Sequence, residues 1–210
     1  MADRDLCAGC YHELCWIGAA CTQCAIPLAD SGGAHIRCGQ CLQKPPSFDR
    51  SLSLFSYRGN AVRLIQQLKF NQKLAYARLL GSLLADQVRS RGIELPDCLL
   101  PVPLYSKRLR QRGFNQSIEL ARPVAKSFGI PVDLHSVIRV RDTRAQSGLD
   151  QKQRRKNMRG AFQRVRPVKH KHVTIIDDVV TTTSTVNELA RVLKRAGVER
   201  VDIWSIARAG

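Results

Sequence analysis

The sequence has no apolar run that approaches the roughly 18 residues a helix needs to cross a bilayer. Its first residues, 1–5, are polar and lead into cysteines rather than into the apolar stretch of a secretory signal. Internal repeats and low-complexity tracts are also missing. Together these absences exclude a helical membrane protein and a repeat array, and they predict a cytoplasmic globular protein with no membrane span.

Acidic residues are scarce in this chain. It has 17 Asp and Glu against 34 Lys and Arg, which gives a formal net charge of +17. Most of the excess lies between residues 104 and 172, where 18 basic residues stand against 4 acidic ones. Such a local positive field predicts a polyanionic partner, either phosphorylated ligands or nucleic acid, and a merely solvated basic surface is the alternative.

Cysteine, by contrast, is plentiful, with eight residues in a chain of 210. Six of them form three Cys-x-x-Cys pairs, a spacing typical of metal binding in a reducing compartment. The run from Cys21 and Cys24 to Cys38 and Cys41 has the spacing of a four-thiolate ribbon. We therefore predict that these four residues bind a structural zinc ion.

The first pair, Cys7 and Cys10, has no obvious second half. It could recruit Cys15 or His12, or it could pair with the second Cys-x-x-Cys and leave the third spare. Cys7 and Cys10 are therefore additional candidate zinc ligands. A change of composition near the prolines at 45 and 46 predicts that a cysteine-rich zinc ribbon spans residues 1–47.

Beyond the ribbon, strand and helix periodicities alternate. Strands are predicted at 52–57, 98–102, 173–176 and 201–206, with a short one at 131–134. Helices are predicted at 61–70, 74–91, 117–128 and 185–196, the third kinked or split by Pro123. Residues 139–160 are polar and basic and predict a mobile loop. This alternation indicates an α/β domain over residues 48–210, with a three-layer, mainly parallel sheet.

The most informative segment is the strand, loop and helix at 173–196. The apolar strand delivers Asp177 and Asp178 at its carboxyl end, where ligands bind in open α/β sheets. Hydroxyl residues follow, and the next helix starts with free N–H groups that favour a phosphate and with Thr185 and Glu188 at capping-box spacing. Two carboxylates before a phosphate cradle suit neighbouring sugar hydroxyls, so we predict a sugar 5-phosphate ligand. The alternative is an acidic turn and a threonine-rich cap with no ligand.

Residues 173–185 resemble the phosphoribosyl pyrophosphate (PRPP) motif of type I phosphoribosyltransferases. That motif has four apolar positions, two acids, two apolar residues and then Thr-Thr-Gly-Ser-Thr. The resemblance implies a type I phosphoribosyltransferase fold in which the acids hold the ribose and the 5-phosphate is held by Thr181, Thr182, Thr183, Ser184 and Thr185. Thr183 stands where the family usually has glycine, and a positive φ there would cost a β-branched residue about 1–2 kcal/mol.

A basic segment follows the strand at 98–102. Lys107, Arg108 and Arg112 carry charge suited to a diphosphate, and Gly113 allows close backbone approach; an ordinary basic turn is the alternative. The string Lys-Arg…Arg-Gly-Phe-Asn-Gln at 107–116 is similar to the hallmark of the competence protein F (ComF/GntX) family. In type I phosphoribosyltransferases the loop at this position binds the pyrophosphate of PRPP, and the resemblance implies that role for Lys107, Arg108, Arg112 and Gly113.

A further string of that family lies at 143–162, between the two ligand loops. The resemblance implies a lid that closes over the site and excludes water, with contacts from Gln146, Arg154 and Asn157. The alternative is nucleic-acid contact through the basic residues 154–156. Few aromatic side chains are available there for base stacking, which weakens this alternative.

On these motifs, in their order from Cys7 to Arg208, the chain is identified as a member of the competence protein F family. The resemblance implies a phosphoribosyltransferase that binds PRPP with Mg²⁺, with Asp177 and Asp178 as catalytic carboxylates and an acceptor that the sequence does not indicate. It also implies an association with DNA uptake and utilisation in natural competence. The alternative is a non-catalytic module that uses the fold as a scaffold for single-stranded DNA or a helicase-like partner.

Overall fold

The computed structural model describes residues 6–29, 36–71, 73–143 and 151–210, and only the backbone of Gln151, Lys152, Arg154 and Arg155. The helices in these ranges are α1 Ala8–His12, α2 Gly39–Gln43, α3 Gly59–Asn71, α4 Ala75–Ser90, α5 Ser106–Arg112, α6 Gln116–Phe128, α7 Gln151–Met158 and α8 Ser184–Arg195. The strands are β1 Arg50–Ser56, β2 Cys98–Pro101, β3 Val137–Arg139, β4 Phe162–Arg164, β5 His172–Val180 and β6 Arg200–Arg208. None of these helices has the length and apolar composition that crossing a membrane requires.

Four strands form one parallel sheet in the order β1-β6-β5-β2. The long strands β5 and β6 lie in the middle, and their register pairs Asp177 with Ser205 and Val180 with Arg208. β3 and β4 form a separate antiparallel pair. Because the four strands of the main sheet are parallel, their carboxyl ends meet at one edge, where ligands bind in folds of this kind.

Helices cover both faces of the sheet. On one face α3, α4 and α6 enclose a buried cluster that includes Leu80 and Trp204. On the other face α8 and the cysteine-rich segment enclose a second cluster, which includes Cys41 and Leu189. Burial on both faces explains why the central strands are continuously apolar rather than alternating. The predicted three-layer, mainly parallel α/β fold is confirmed.

Two helices of the first face approach closely at Gly81. A Cβ atom there would lie 2.3 Å from Pro123 Cγ and 2.7 Å from the carbonyl oxygen of Leu120, so only glycine fits. Pro123 lies inside α6, which runs unbroken from Gln116 to Phe128. The split predicted at Pro123 is therefore wrong, and the packing of its ring against α4 helps to offset the backbone hydrogen bond that proline cannot donate.

The predicted strands and helices of the main sheet are confirmed to within a few residues, and the differences lie elsewhere. The short strands β3 and β4 were not predicted. The basic segment after β2 and part of the predicted loop at 139–160 form the helices α5 and α7. No strand forms at 131–134, where Val132 makes only an isolated bridge to Leu99. Lys, Arg, Gln and Met are good helix formers, and this propensity favours the two missed helices.

The cysteine-rich segment lies directly on the α/β domain. The N–H of Ile17 donates to Leu54 O at 2.8 Å, and the N–H of Ser56 donates to Cys15 O at 2.8 Å, so the segment is bonded to β1. Its buried cysteines belong to the same apolar cluster as α8. A domain boundary after residue 47 stays a prediction, because this cluster joins the two parts.

Candidate functional site

The two predicted carboxylates lie inside β5, near its carboxyl end. Asp177 and Asp178 are 8% and 3% exposed, and the strand continues past them to Val180 rather than ending before them as predicted, because its last residues still pair with β6. Ser117 Oγ, at the start of α6, donates to Asp177 Oδ1 at 3.3 Å. Lys69 Nζ, on α3, lies 2.5 Å from Asp178 Oδ2. No local pattern links a lysine on α3 to these acids, and sequence reasoning missed it.

Asp177 and Asp178 lie side by side in a buried position, and this raises the pKa of Asp177. Burial raises the pKa of Asp177, the charge of Asp178 raises it further, and Lys69 opposes the effect, with a net pKa of about 8. The N–H of Asp178 donates to Asp177 Oδ1, and the N–H of Val179 donates to Asp178 Oδ1, each at 2.9 Å. A buried acid with a raised pKa beside a paired acid is typical of a functional site.

The chain turns into α8 at Thr183. This residue has φ +58° and ψ −2°, the left-handed conformation in which a β-branched side chain is disfavoured. Its Oγ1 donates to Thr182 O at 2.6 Å, and its carbonyl oxygen accepts the N–H of Asn187 at 2.8 Å. The hydroxyls of Thr182 and Ser184 lie 2.9 Å apart. The positive φ on which the predicted cost of Thr183 depended is therefore present.

A small open cavity joins Asp177 to this loop. It is lined by polar residues that include Asp177, Thr181, Thr183, Ser184 and Thr185. One predicted carboxylate and four of the five predicted hydroxyl residues thus meet in one opening. Hydroxyls and the unpaired N–H groups of the first turn of α8 give this opening the donors that a phosphate needs.

Glu188 has a different role from the one predicted. α8 begins at Ser184, so Thr185 lies within the helix and the capping box with Glu188 does not form. Glu188 Oε1 instead accepts the N–H of Gly160 at 2.7 Å and pairs with Arg191 at 2.5 Å. This contact fastens the segment after α7 to α8, and sequence spacing gave no indication of it.

The predicted pyrophosphate-binding segment folds as α5, which ends at Gly113 with φ +80°. Arg112 Nη1 donates to Gln116 Oε1 at 2.7 Å, next to Ser117, the residue that contacts the first acid. Lys107 is exposed on the helix. The segment is therefore linked to Asp177 through the first two residues of α6: Arg112 contacts Gln116, and the next residue, Ser117, contacts Asp177.

Arg108 is engaged by other groups of the chain. Its Nε lies 2.9 Å from Asp142 Oδ1, and its Nη2 donates to Thr143 O at 3.1 Å. These contacts join α5 to the chain that follows β3. A diphosphate near Arg108 would compete with the carboxylate of Asp142 for the guanidinium group, and sequence reasoning did not identify this competitor.

The predicted lid residues are described only in part. Gln146 lies outside the described residues. Arg154 lies on α7, with its side chain outside the described part of the structure, and Asn157 is half-buried near the end of the same helix. α7 packs beside α8, which follows the loop at 181–185.

Four cysteines form one cluster, as the spacing predicts. The Sγ atoms of Cys21, Cys24, Cys38 and Cys41 lie within 4.8 Å of one another. Those of Cys24 and Cys38 are 3.7 Å apart, close to the roughly 3.8 Å between thiolates on a tetrahedral zinc with bonds of about 2.3 Å. Burial raises the pKa of the Cys21 thiol, but backbone N–H donors from Cys38, Cys24 and Gln23 outweigh it and lower the pKa to about 7. The donor set fits zinc.

Cys7 and Cys10 stand apart from this cluster. Both are exposed, and Cys7 Sγ accepts the N–H of Cys10 at 3.4 Å at the start of α1. The alternative in which Cys7 and Cys10 share a metal site with Cys21 and Cys24 is wrong, because Cys21 and Cys24 are clustered with the third Cys-x-x-Cys pair. Among the described residues, no group of three or more potential ligands includes Cys7 or Cys10.

Arg208 joins the cysteine cluster to the start of the loop at 181–185, and sequence reasoning missed it. It is 5% exposed, and its Nε donates to Cys24 O at 2.9 Å. Its Nη1 donates to Val180 O at 3.3 Å and to the carbonyls of Thr181 and Ala209. A charged residue at the end of an apolar strand was the only signal, and it did not indicate a partner in the ribbon.

Comparison with known proteins gives matches over nearly the whole chain. Residues 115–210 match the family described as Phosphoribosyl transferase domain. The chain is 39% identical over 207 residues to the DNA utilization protein YhgH of Salmonella typhi, covering 97% of this chain and 90% of that protein. It is 34% identical over 221 residues to competence protein F of Haemophilus influenzae, covering 100% and 93%.

A solved structure with a similar chain is the glutamine PRPP amidotransferase from B. subtilis complexed with ADP and GMP. The two are 23% identical, with a TM-score of 0.41, over 61% of this chain and 25% of that one.

Proposed function

Because the chain belongs to the competence protein F family, we propose that it binds Mg-PRPP at the carboxyl edge of its sheet. The observation that carries this proposal is the cavity in which Asp177 meets the hydroxyl residues of the loop at 181–185. Ribose 5-phosphate needs acceptors for its hydroxyls and donors for its phosphate. Both sets of groups lie within this one opening.

Each group of residues has one role in this proposal. Asp177 and Asp178 hold the two ribose hydroxyls, and the loop at 181–185 holds the 5-phosphate. The pyrophosphate is held by Lys107, Arg108, Arg112 and the backbone at Gly113. Mg²⁺ enters as part of the substrate complex and neutralises charge on the pyrophosphate.

The reaction class is pentosyl transfer. The bond from the anomeric carbon to pyrophosphate breaks, its electron pair leaves with the pyrophosphate oxygen, and an acceptor nucleophile bonds to the same carbon. The negative charge of Asp178, and of Asp177 when it is ionised, stabilises the positive charge that develops on the ribose ring. A lid with Gln146, Arg154 and Asn157 excludes water, which would otherwise hydrolyse the reacting sugar.

Binding exchanges two ion pairs that are present in the ligand-free protein. Ribose hydroxyls take the place of Lys69 on Asp178, and pyrophosphate oxygens take the place of Asp142 on Arg108. Asp178 then accepts hydrogen bonds from hydroxyls instead of pairing with an ammonium group, while Lys69 and Asp142 lose their partners. Their side chains are 21% and 26% exposed, so water can solvate the charges that are released.

Zinc has a structural role in this proposal. Cys21, Cys24, Cys38 and Cys41 would supply all four ligands of a tetrahedral ion, which leaves no open position for substrate or water. The ion would therefore stabilise the ribbon and take no part in the transfer reaction.

The test is calorimetric titration of the zinc-loaded protein with PRPP, with and without Mg²⁺. We expect saturable micromolar binding that requires Mg²⁺. The double variant Asp177→Asn/Asp178→Asn should weaken it about 100-fold, since hydrogen bonds to charged groups contribute about 1.5 kcal/mol or more each. Asp133→Asn is the matched control, because Asp133 accepts hydrogen bonds from His135 and Ser136 in its own turn. Unchanged PRPP affinity in the double variant would show that the acids are wrongly assigned.

A second candidate function is nucleic-acid handling, and the basic stretch at 104–172 favours it. Its exposed residues include Lys107 and Arg110 on α5, which can neutralise phosphates of single-stranded DNA. The names DNA utilization protein and competence protein F, carried by the relatives, also favour a DNA-related role, alone or with a helicase-like partner.

Anisotropy of a labelled single-stranded oligonucleotide at increasing salt tests this second function. We expect the affinity to fall as salt rises and the double variant Lys107→Ala/Arg110→Ala to bind more weakly with a smaller salt dependence. Asp177→Asn/Asp178→Asn should retain DNA binding, because removal of acids does not weaken phosphate contacts. Salt-independent binding, or loss of binding in the acid variant, would contradict this assignment.

A further inference from the structure

A second cavity lies beside the phosphate-binding loop, where the cysteine ribbon meets the α/β domain. The space in it that water-sized groups can occupy is about 100 Å³. The ribbon side contributes residues around the end of α2, and α8 contributes its first turn. The residues that define it are Gln40, Lys44, Pro45, Thr183, Ser184 and Asn187.

This cavity borders the first one. Thr183 and Ser184 line both openings, so the phosphate-binding loop separates them by a single turn of chain. A group attached to the far side of a phosphate in the loop would therefore extend into the second cavity. PRPP has no such group, because its 5-phosphate is a terminal monoester.

The walls of the second cavity combine one cation, amide donors and apolar rings. Lys44 is exposed, and it is the one cationic side chain among the described residues that line the cavity, which also include the zinc-cluster cysteines Cys24 and Cys41. Asn187 Oδ1 accepts the N–H of Ser47 at 2.6 Å, so its amide nitrogen can donate to a ligand. The rings of Pro45 and Pro46 offer an apolar surface. Such a lining suits a sugar or base attached to a phosphate. It suits a second free phosphate less well, because it offers only one cation.

We propose that this cavity holds the nucleotide that precedes a terminal 5-phosphorylated ribose, so that the site accepts the 3′-terminal nucleotide of an oligoribonucleotide. The inference rests on the proposed function, because Asp177, Asp178 and the loop at 181–185 keep their roles. The terminal ribose supplies the two free hydroxyls, its 5′-phosphate lies in the loop, and the diester continues past Thr183 towards Lys44.

The chemistry selects RNA ends over other nucleic-acid sites. An internal nucleotide has its 3′-hydroxyl in a diester, and a DNA end has no 2′-hydroxyl, so neither presents the pair of hydroxyls that two carboxylates accept. The space of about 100 Å³ that water-sized groups can occupy corresponds to roughly eight water positions, and the cavity is open to solvent, so the sugar or base of one preceding nucleotide can enter it.

The test compares each of the four ribonucleoside 5′-monophosphates with the matching dinucleotide that has the same base at its 3′ end. Calorimetry is done on the zinc-loaded full chain, and PRPP is titrated in the same series. Net charge alone favours the mononucleotide, whose monoester carries about twice the negative charge of the diester. We nevertheless expect at least one dinucleotide to bind about tenfold more tightly than its mononucleotide, because the second nucleotide occupies the cavity.

Lys44→Ala should reduce that preference for the dinucleotide about threefold to fivefold, the amount expected for one exposed ion pair. Lys169→Ala is the matched control, since Lys169 is also exposed but precedes β5, at the opposite edge of the sheet. A dinucleotide whose 3′-terminal sugar is 2′-deoxyribose should bind about tenfold more weakly than the all-ribose form. Equal binding of the two would contradict the orientation proposed for the terminal ribose.

The outcomes separate the inference from the function on which it rests. If PRPP binds but every dinucleotide binds no more tightly than its mononucleotide, or not at all, the inference is wrong and the proposed function stands. If PRPP fails to bind as well, the proposed function is also wrong. A preference for dinucleotides that Lys44→Ala and Lys169→Ala change equally would exclude this cavity as its origin.

Discussion

Thr183 holds a backbone conformation that disfavours its own side chain. With φ +58°, it stands at the turn into α8 where the family usually has glycine. The left-handed conformation costs a residue with a Cβ about 1–2 kcal/mol, and branching at Cβ adds to the crowding. Its hydroxyl compensates in part by donating to Thr182 O. The backbone strain at Thr183 therefore lies directly at the proposed phosphate site.

Thr183→Gly should increase the free energy of unfolding by about 0.5–1 kcal/mol, measured by urea denaturation. Relief of the left-handed strain outweighs the roughly 0.5–1 kcal/mol lost through the greater freedom of glycine in the unfolded chain. PRPP affinity should rise in the same variant, because the backbone N–H groups become more accessible to the phosphate.

Thr182→Gly is the control for that variant, since Thr182 is not among the residues with positive φ. It should only destabilise the protein. If both glycine variants destabilise equally, Thr183 is not strained.

Asp177 makes stability depend on pH. Its pKa is raised from 3.8 to about 8 by burial and by Asp178, so the folded state binds more protons than the unfolded state between these values. The free energy of unfolding should therefore fall as pH rises from about 4 to 8, and Asp177→Asn should remove more than about 1 kcal/mol of that fall.

Urea denaturation at several pH values measures the effect of Asp177→Asn. Asp133→Asn is the control of opposite sign: burial raises the pKa of Asp133, but hydrogen bonds from Ser136 and His135 outweigh it and lower the pKa. Its stabilisation is present above the unfolded pKa and lost as pH falls. A pH profile that Asp177→Asn leaves unaltered would contradict the raised pKa.

At the scale of secondary-structure elements, β5, β6 and the ribbon are joined at one point. Arg208 ends β6 and donates to carbonyls at the end of β5 and in the ribbon. The guanidinium group is planar with five donors, so one side chain can satisfy several buried carbonyls at once. The start of the loop at 181–185 is therefore positioned by a contact with the cysteine cluster.

Arg208→Gln should lower the free energy of unfolding by about 3 kcal/mol, because buried carbonyls lose their donors at about 1–3 kcal/mol each. Arg208→Lys should be intermediate in stability, since an ammonium group cannot reach all of them. At a temperature where both variants are folded, PRPP affinity should fall in the same order, which a purely structural role would not require. The exposed Arg166→Gln is the control for lost charge, and equal effects of Arg166→Gln and Arg208→Gln would exclude the positioning role.

At the scale of the whole molecule, the ribbon and the α/β domain share a buried cluster. Cys21, Cys24 and Cys41 lie in the same cluster as Leu189 of α8 and Ile203 of β6. Loss of order in the ribbon would therefore expose apolar surface of the main sheet, at about 25 cal/mol per Å². The two parts should unfold together.

Removal of zinc with a chelator should lower the midpoint of thermal unfolding of the entire chain in a single transition. Metal analysis should find one zinc ion per chain, lost in Cys24→Ser and retained in the control Cys7→Ser/Cys10→Ser, whose cysteines are exposed and outside the cluster. Two transitions, with the α/β domain unaffected, would show that the ribbon is energetically independent. Zinc loss in the control would show that the first pair also binds metal.

The sequence by itself determined the features that depend on short spans of chain. The spacing of Cys21, Cys24, Cys38 and Cys41 indicated one cluster, and contiguity placed Asp177 next to the loop at 181–185. The parallel α/β fold followed from alternating apolar periods. Local spacing and periodicity are sufficient for such features, because neighbours in the chain remain neighbours in any fold.

The tertiary structure alone decided which distant residues complete the site. Lys69 on Asp178, Asp142 on Arg108 and Arg208 on Cys24 each join residues that are far apart in the chain. So does the cavity between Lys44 and Asn187. These contacts depend on how helices and ribbon pack on the two faces of the sheet, and that packing is decided by burial of apolar surface over the whole chain, which no local pattern encodes.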